Sequence, residues 1–167
     1  MAADSFYRGC RSSEHFIKVS ETNFKVSPTA FFPDERFLSD KDTYDTSICW
    51  KDDDNALSFF YRNDKKKNEG NNIKHGISEI DSIKAMKNIV ALHVQDIVTL
   101  NHFSDPGDSE NVYHGNVSFD KYFRSKLEER FPDLKKKGRL RLVCDRIAMA
   151  EKDFYTPHDL QCMFPEE

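Results

Sequence analysis

Short apolar and aromatic blocks run the length of this chain, separated by polar stretches rich in turn formers. The first two blocks, residues 5–8 and 16–19, read as strands. Pro28, Pro33 and Asp34 interrupt regular structure, so residues 27–46 read as a long loop with short strands. Residues 47–50 are strand-like, while residues 56–61 fit either a strand or the start of a short helix, because so short a run has no decisive period. Residues 62–72 hold no apolar side chain and many turn formers, which predicts an exposed loop near residues 62–74.

Further along, Ser78 stands where a helix cap would, Asp81 follows three residues on, and Ile80, Ile83 and Met86 recur at helical spacing. That pattern predicts a short helix over 78–88. Two β-branched runs, 88–94 and 96–100, read as strands, with His93 as a core residue of the first. Residues 104–109 read as a turn. A helix is predicted from about 118 to 131, capped by Ser118, with Phe119, Tyr122, Phe123, Leu127 and Phe131 on one stripe and Pro132 as its stop. After a turn at 135–138, residues 139–143 alternate and read as a half-buried strand. The segment from Asp145 is expected to be partly helical and to fray from Met163 onward. Runs of strands interrupted by helices, without regular βαβ alternation, predict an α+β fold. We expect a single domain over 1–167, with a mixed or antiparallel sheet and two or three helices.

Composition narrows this picture. A length of 167 residues is enough for one core, and 14 phenylalanines exclude a disordered chain. The net charge of -4 argues against a global nucleic-acid binder without excluding a local basic patch. No apolar run approaches the roughly 20 residues of a membrane span. The first residues lack the basic and apolar regions of a secretion signal. Cys10, Cys49, Cys144 and Cys162 form no C-x-x-C pair, which favours separate reduced thiols over a structural zinc site. A cytoplasmic protein is the expectation.

Candidate chemistry is scattered. Arg8, at the end of the first strand beside Tyr7, has the planar fork that grips a phosphate or carboxylate. His114 precedes Gly115 and a strand-like stretch, and is a candidate acid, base or ligand. Gly115 would allow a close approach by backbone or ligand. Ser39 is a weaker candidate nucleophile, since no G-x-S-x-G surrounds it. These give a candidate catalytic set of Arg8, Ser39 and His114, and a ligand-binding set of Arg8, Tyr7 and His114. His15, His75, His102 and His158 have polar surroundings and no assignable partner. Lys135, Lys136, Lys137, Arg139 and Arg141 form the densest basic run. Read as a strand, the last two point to one face and, with Lys65, Lys66 and Lys67, could follow a phosphate backbone. Asp52, Asp53 and Asp54 read as an acidic turn, and no metal site is expected.

Three stretches resemble a widespread family of small bacterial proteins without an assigned activity. They are Tyr7-Arg8, the serine-containing segment ending at Ala30-Phe31 followed by Leu38-Ser39, and the Asn-x-x-His of Asn111 to His114. The opening is also similar to that of ADP-ribosyltransferase folds. That resemblance implies that Arg8 and a serine, Ser27 or Ser39, would hold NAD. A late Glu-x-Glu pair, which would activate the acceptor, does not occur; Glu79 stands at a predicted helix start. No cofactor is expected outside that alternative. The primary expectation is a binding or accessory module of a bacterial protein system, such as one of defence or stress, with a protein partner and no membrane. The alternatives are an NAD-consuming enzyme and a nucleic-acid binder acting through the Lys135 to Arg141 patch.

Overall fold

The computed structural model describes residues 3–102 and 112–166. In chain order the strands are β1 (Ser5–Gly9), β2 (Phe16–Lys18), β3 (Phe24–Val26), β4 (Thr43–Trp50), β5 (Ile77–Asp81), β6 (Val98–His102), β7 (His114–Asp120) and β8 (Glu151–Tyr155). The helices are α1 (Ala56–Asn68), α2 (Ser82–Ala91), α3 (Phe123–Arg130), α4 (Lys136–Ala148) and α5 (Pro157–Met163). Six strands form one antiparallel sheet in the order β6-β7-β4-β1-β5-β8, and β2 pairs with β3 as a separate ribbon. This is a single α+β domain. Among the described residues, no helix is long and apolar enough to cross a membrane.

Phe6 and Tyr7 are neighbours on β1 and therefore point to opposite faces of the sheet. Each belongs to a separate core. Phe6 packs with Trp50, Val117 and Phe119 beneath α2, α3, α4 and the 3-10 turn Pro28–Phe31. Tyr7 packs with Cys49 and Ile77 beneath α1 and α5, through Leu57, Tyr61 and Leu160. Burying each of these large side chains contributes about 1.5–3 kcal/mol. Because both faces are covered, β7 is buried continuously from Gly115 to Phe119 although polar Asn116 and Ser118 alternate with apolar Val117 and Phe119. Gly115 itself is required by packing. A Cβ there would run into the Trp50 indole nitrogen and the Asn101 carbonyl, which hydrogen-bond each other at 2.9 Å. The close approach predicted at Gly115 is therefore made by Trp50 and not by a ligand.

Several expected elements differ. Residues 62–68, expected as exposed loop, complete α1. Lysines at its C-terminal end suit the helix dipole, and the turn after it is closed by left-handed Glu69 and Gly70, with the Gly70 amide donating to the Asp64 carbonyl at 3.1 Å. Ser78 lies inside β5, and the cap of α2 is Asp81, whose side chain accepts from the Lys84 amide at 3.0 Å. Ile80 is consequently buried in a strand, whereas Ile83 and Met86 are exposed on α2. The run 88–94 is the end of α2 and its exit turn, and His93 is exposed with a positive φ of 60°. Ser118 is a buried strand residue that accepts from the Asn101 side chain, so the next helix begins only at Phe123. Residues 139–143 are part of helix α4, not a strand. The turn expected at 104–109 lies outside the described residues.

Candidate functional site

The β1–β4 ladder is short. It pairs Phe6 with Trp50 and Tyr7 with Cys49, then stops, while β1 continues against β5 as far as Gly9 and β4 pairs with β7 over its full length. The two central strands therefore diverge from Arg8 onward. The Arg8 side chain fills the divergence: Nε donates to the Ala30 carbonyl at 2.7 Å and Nη1 to the Ser47 carbonyl at 3.3 Å. The guanidinium thus gives a donor to one β4 carbonyl beside the gap, Ser47, and to one carbonyl of the 3-10 turn, Ala30.

A cleft of about 620 Å³ opens at this gap, and residues from both faces of the sheet reach it. Arg8, Thr29 and Phe32 line one side; Phe60, Asn63 and Asp64 of α1 line the other; His114 and Ser47 contribute from the neighbouring strands. Arg11 and His15 also line it. Asp64 is tied up structurally. Its carboxylate accepts from the Asn72 amide at 3.1 Å, the Asn72 side chain at 2.7 Å and the Asn68 side chain at 3.0 Å. Asp45 likewise accepts from Thr43 at 2.8 Å and Asn116 at 3.2 Å.

Arg8 is different. Among the described residues it has no carboxylate partner, only the two carbonyls. Burial lowers its pKa to about 10, with the nearby Arg11 charge acting in the same direction and Cys10 opposing. It stays cationic at neutral pH, and part of its surface remains open to the cleft. The N–H groups not used by Ala30 and Ser47 are left as donors. The arrangement suits an oxyanion, for which it supplies a permanent charge and directed hydrogen bonds.

Of the residues singled out in the sequence, Arg8 and His114 meet in this cleft. Ser39 does not line it: its hydroxyl is held in a turn, 2.8 Å from the Thr43 hydroxyl and accepting from the Thr43 amide at 3.2 Å. Ser27 caps the 3-10 turn, accepting from Thr29. Tyr7 faces the opposite core, and burial together with Glu79 pushes its hydroxyl pKa well up. Glu79 belongs to β5, not to a helix start. It is buried beneath Lys51 at 3.5 Å and Lys152 at 3.9 Å, accepts from the Tyr155 hydroxyl at 3.0 Å, and does not line the cleft. Arg11 and His15 were not singled out by the sequence; their only signal is closeness in the chain to Arg8.

The other polar groups have local explanations. Asp52 pairs with His102 at 2.6 Å, and the Tyr113 hydroxyl donates to Asp53 at 3.0 Å. No cluster of three metal-ligating side chains occurs among the described residues. Arg139 and Arg141, two positions apart on a helix, point roughly 200° apart and do not share a face. Arg139 is anchored to the Phe131 carbonyl at 3.0 Å, while Lys135, Lys136, Lys137 and Arg141 are exposed. Lys65, Lys66 and Lys67 sit on α1, across the sheet from α4, so the two basic runs do not join. No known protein family, curated protein or solved structure matches the chain.

Proposed function

We propose that this protein is a binding module whose cleft receives an oxyanion, the phosphate or carboxylate of a larger ligand, on Arg8 with His114 beside it. The supporting observation is the Arg8 guanidinium, set into the gap between β1 and β4 with no carboxylate partner among the described residues. A desolvated charge without a counter-ion costs several kcal/mol, and an incoming anion offsets that cost. An exposed apolar stripe on α2, formed by Ile83, Met86 and Val90 and edged by Lys84 and Lys87, supports an accessory role beside an acidic protein partner. A role in a bacterial defence or stress system, in the cytoplasm, is part of the same reading, and buried reduced Cys10, Cys49 and Cys144 suit a reducing compartment.

The group-transfer alternative with NAD has less support. Among the described lining residues there is no glutamate, and Ser39 lies elsewhere. The nucleic-acid alternative is weakened by the separation of the two basic runs.

Calorimetry with inorganic phosphate tests the proposal. Saturable binding is expected, weakened by about tenfold or more in Arg8→Ala, the loss of a charge-assisted hydrogen bond. Equal affinity in wild type and Arg8→Ala would remove its basis. Release of nicotinamide from NAD by the wild type would favour the enzyme alternative instead.

A further inference from the structure

His15 ends the 3-10 turn Ser13–His15, which packs on the same Pro28–Phe31 turn that Arg8 reaches, and both side chains line the cleft. Its Nδ1 accepts from the Arg11 backbone amide at 3.1 Å. An Nδ1 lone pair committed to an N–H donor cannot carry a proton. The ring proton of the neutral imidazole must then sit on Nε2. No described residue accepts from Nε2, and the half-buried ring lines both this cleft and an adjoining cavity with Ser12, Asn71 and Lys74, which leaves this N–H for a ligand.

We propose that His15 is a ligand-binding residue: a neutral imidazole, locked by the Arg11 amide into its Nε2–H form, that donates to the oxyanion held by Arg8. This rests on the anion reading of the cleft and adds a second type of donor to it. The electrostatics agree with the geometry. Burial, then the charges of Arg8 and Arg11 and the neighbouring His75, push the His15 pKa down to about 4. Arg8 supplies charge, and His15 supplies direction without adding a second buried cation. The ligand class is narrowed accordingly. It offers two oxygens to separate donors, as a phosphoryl, sulfuryl or carboxylate group does, and not a single carbonyl oxygen.

The test uses sulfate, a tetrahedral dianion that does not itself titrate near neutral pH. Nitrogen-15 spectra of the imidazole read the tautomer directly, and affinities of three variants read the contact. The expected result is a neutral Nε2–H form of His15 at every point from about pH 5.5 to about pH 8, with the Nε2 resonance shifting as sulfate is added. His15→Asn places its carbonyl where Nδ1 was and keeps the Arg11 contact, but it does not reach the ligand; affinity should fall about tenfold. His15→Gln places an amide N–H where Nε2 was and should retain binding to within about twofold. A His15 ring that becomes protonated within that pH range, or a His15→Asn variant that binds like wild type, overturns the proposal. If Arg8→Ala weakens sulfate while both His15 variants match wild type, the role of His15 fails and the cleft reading stands. If Arg8→Ala has no effect, the cleft reading fails and takes this one with it.

Discussion

Glu151 is a carboxylate whose ionisation bears directly on the stability of this fold. It begins β8, and one oxygen accepts from the Val26 amide at 3.0 Å and the Ser78 hydroxyl at 2.5 Å, tying the β2–β3 ribbon to the main sheet. Burial raises its pKa above the ordinary 4.5, aided by Asp153 and opposed by these hydrogen bonds and by Lys25. The folded-state pKa exceeds the unfolded one, so the protonated form favours folding. That contribution is complete below the unfolded pKa and is lost as pH rises through the folded one. Glu151→Gln keeps the accepting oxygen and removes the charge. We expect the variant to unfold at higher urea concentration than wild type near neutral pH, with the gap closing as pH falls below about 4.3. A wild type that stays the more stable of the two at neutral pH would mean that the ionised form is well accommodated. At the same scale, Arg8 was legible in the sequence because an arginine beside a strand end is a recognisable anion ligand. His15 was not, because its role depends on an amide contact that only the 3-10 turn creates.

Among the elements, α1 owes its C-terminal end to one side chain. Asp64 is 3% exposed and satisfies the Asn72 amide and both neighbouring carboxamides. Asp64→Ala leaves those donors without their acceptor and should destabilise the protein by about 1–3 kcal/mol. It should also speed amide exchange selectively at residues 64–72, as measured by NMR. Uniform exchange across the chain would show that α1 does not depend on this contact. The same helix shows why part of the fold escaped the sequence. Residues 62–68 are polar throughout, and a surface helix held by one buried carboxylate looks like a loop when only apolar spacing is read. In α4 the signal was present but ambiguous. Arg139 to Val143 alternates like a strand, yet Leu140, Val143, Cys144, Ile147 and Ala148 follow helical spacing and are the residues buried. β1, the Cys49-Trp50 end of β4 and the α+β class were legible because β-branched and aromatic blocks stood between clear turn residues. β7 was legible only in part, because Asn116 to Ser118 reads as strand-like while Ser118 and Phe119 also fit the start of a helix.

For the whole molecule, the central feature is the parting of two middle strands of an otherwise continuous antiparallel sheet. Strand pairing usually persists because each lost ladder bond leaves buried polar groups unsatisfied. Here Arg8 answers two carbonyls and the cleft takes up the rest of the gap. Arg8, Arg11 and His114 face the cleft, while the lysines of α1 and α4 stand on opposite outer faces. The cleft itself is mixed in charge: Asp34, Asp45 and Asp64 line it as well as Arg8 and Arg11, with Asp34 paired to Arg36 and the other two carboxylates held by neighbouring donors. The most direct measurement is a titration of nitrogen-15 labelled protein with phosphate, observing the Arg8 side-chain Nε–H together with the backbone amides. The account predicts saturable shifts at Arg8 and at the amides of Ser47 and His114, with the lysines of α1 and α4 unaffected. Shifts confined to those lysines, with Arg8 unmoved, would contradict it.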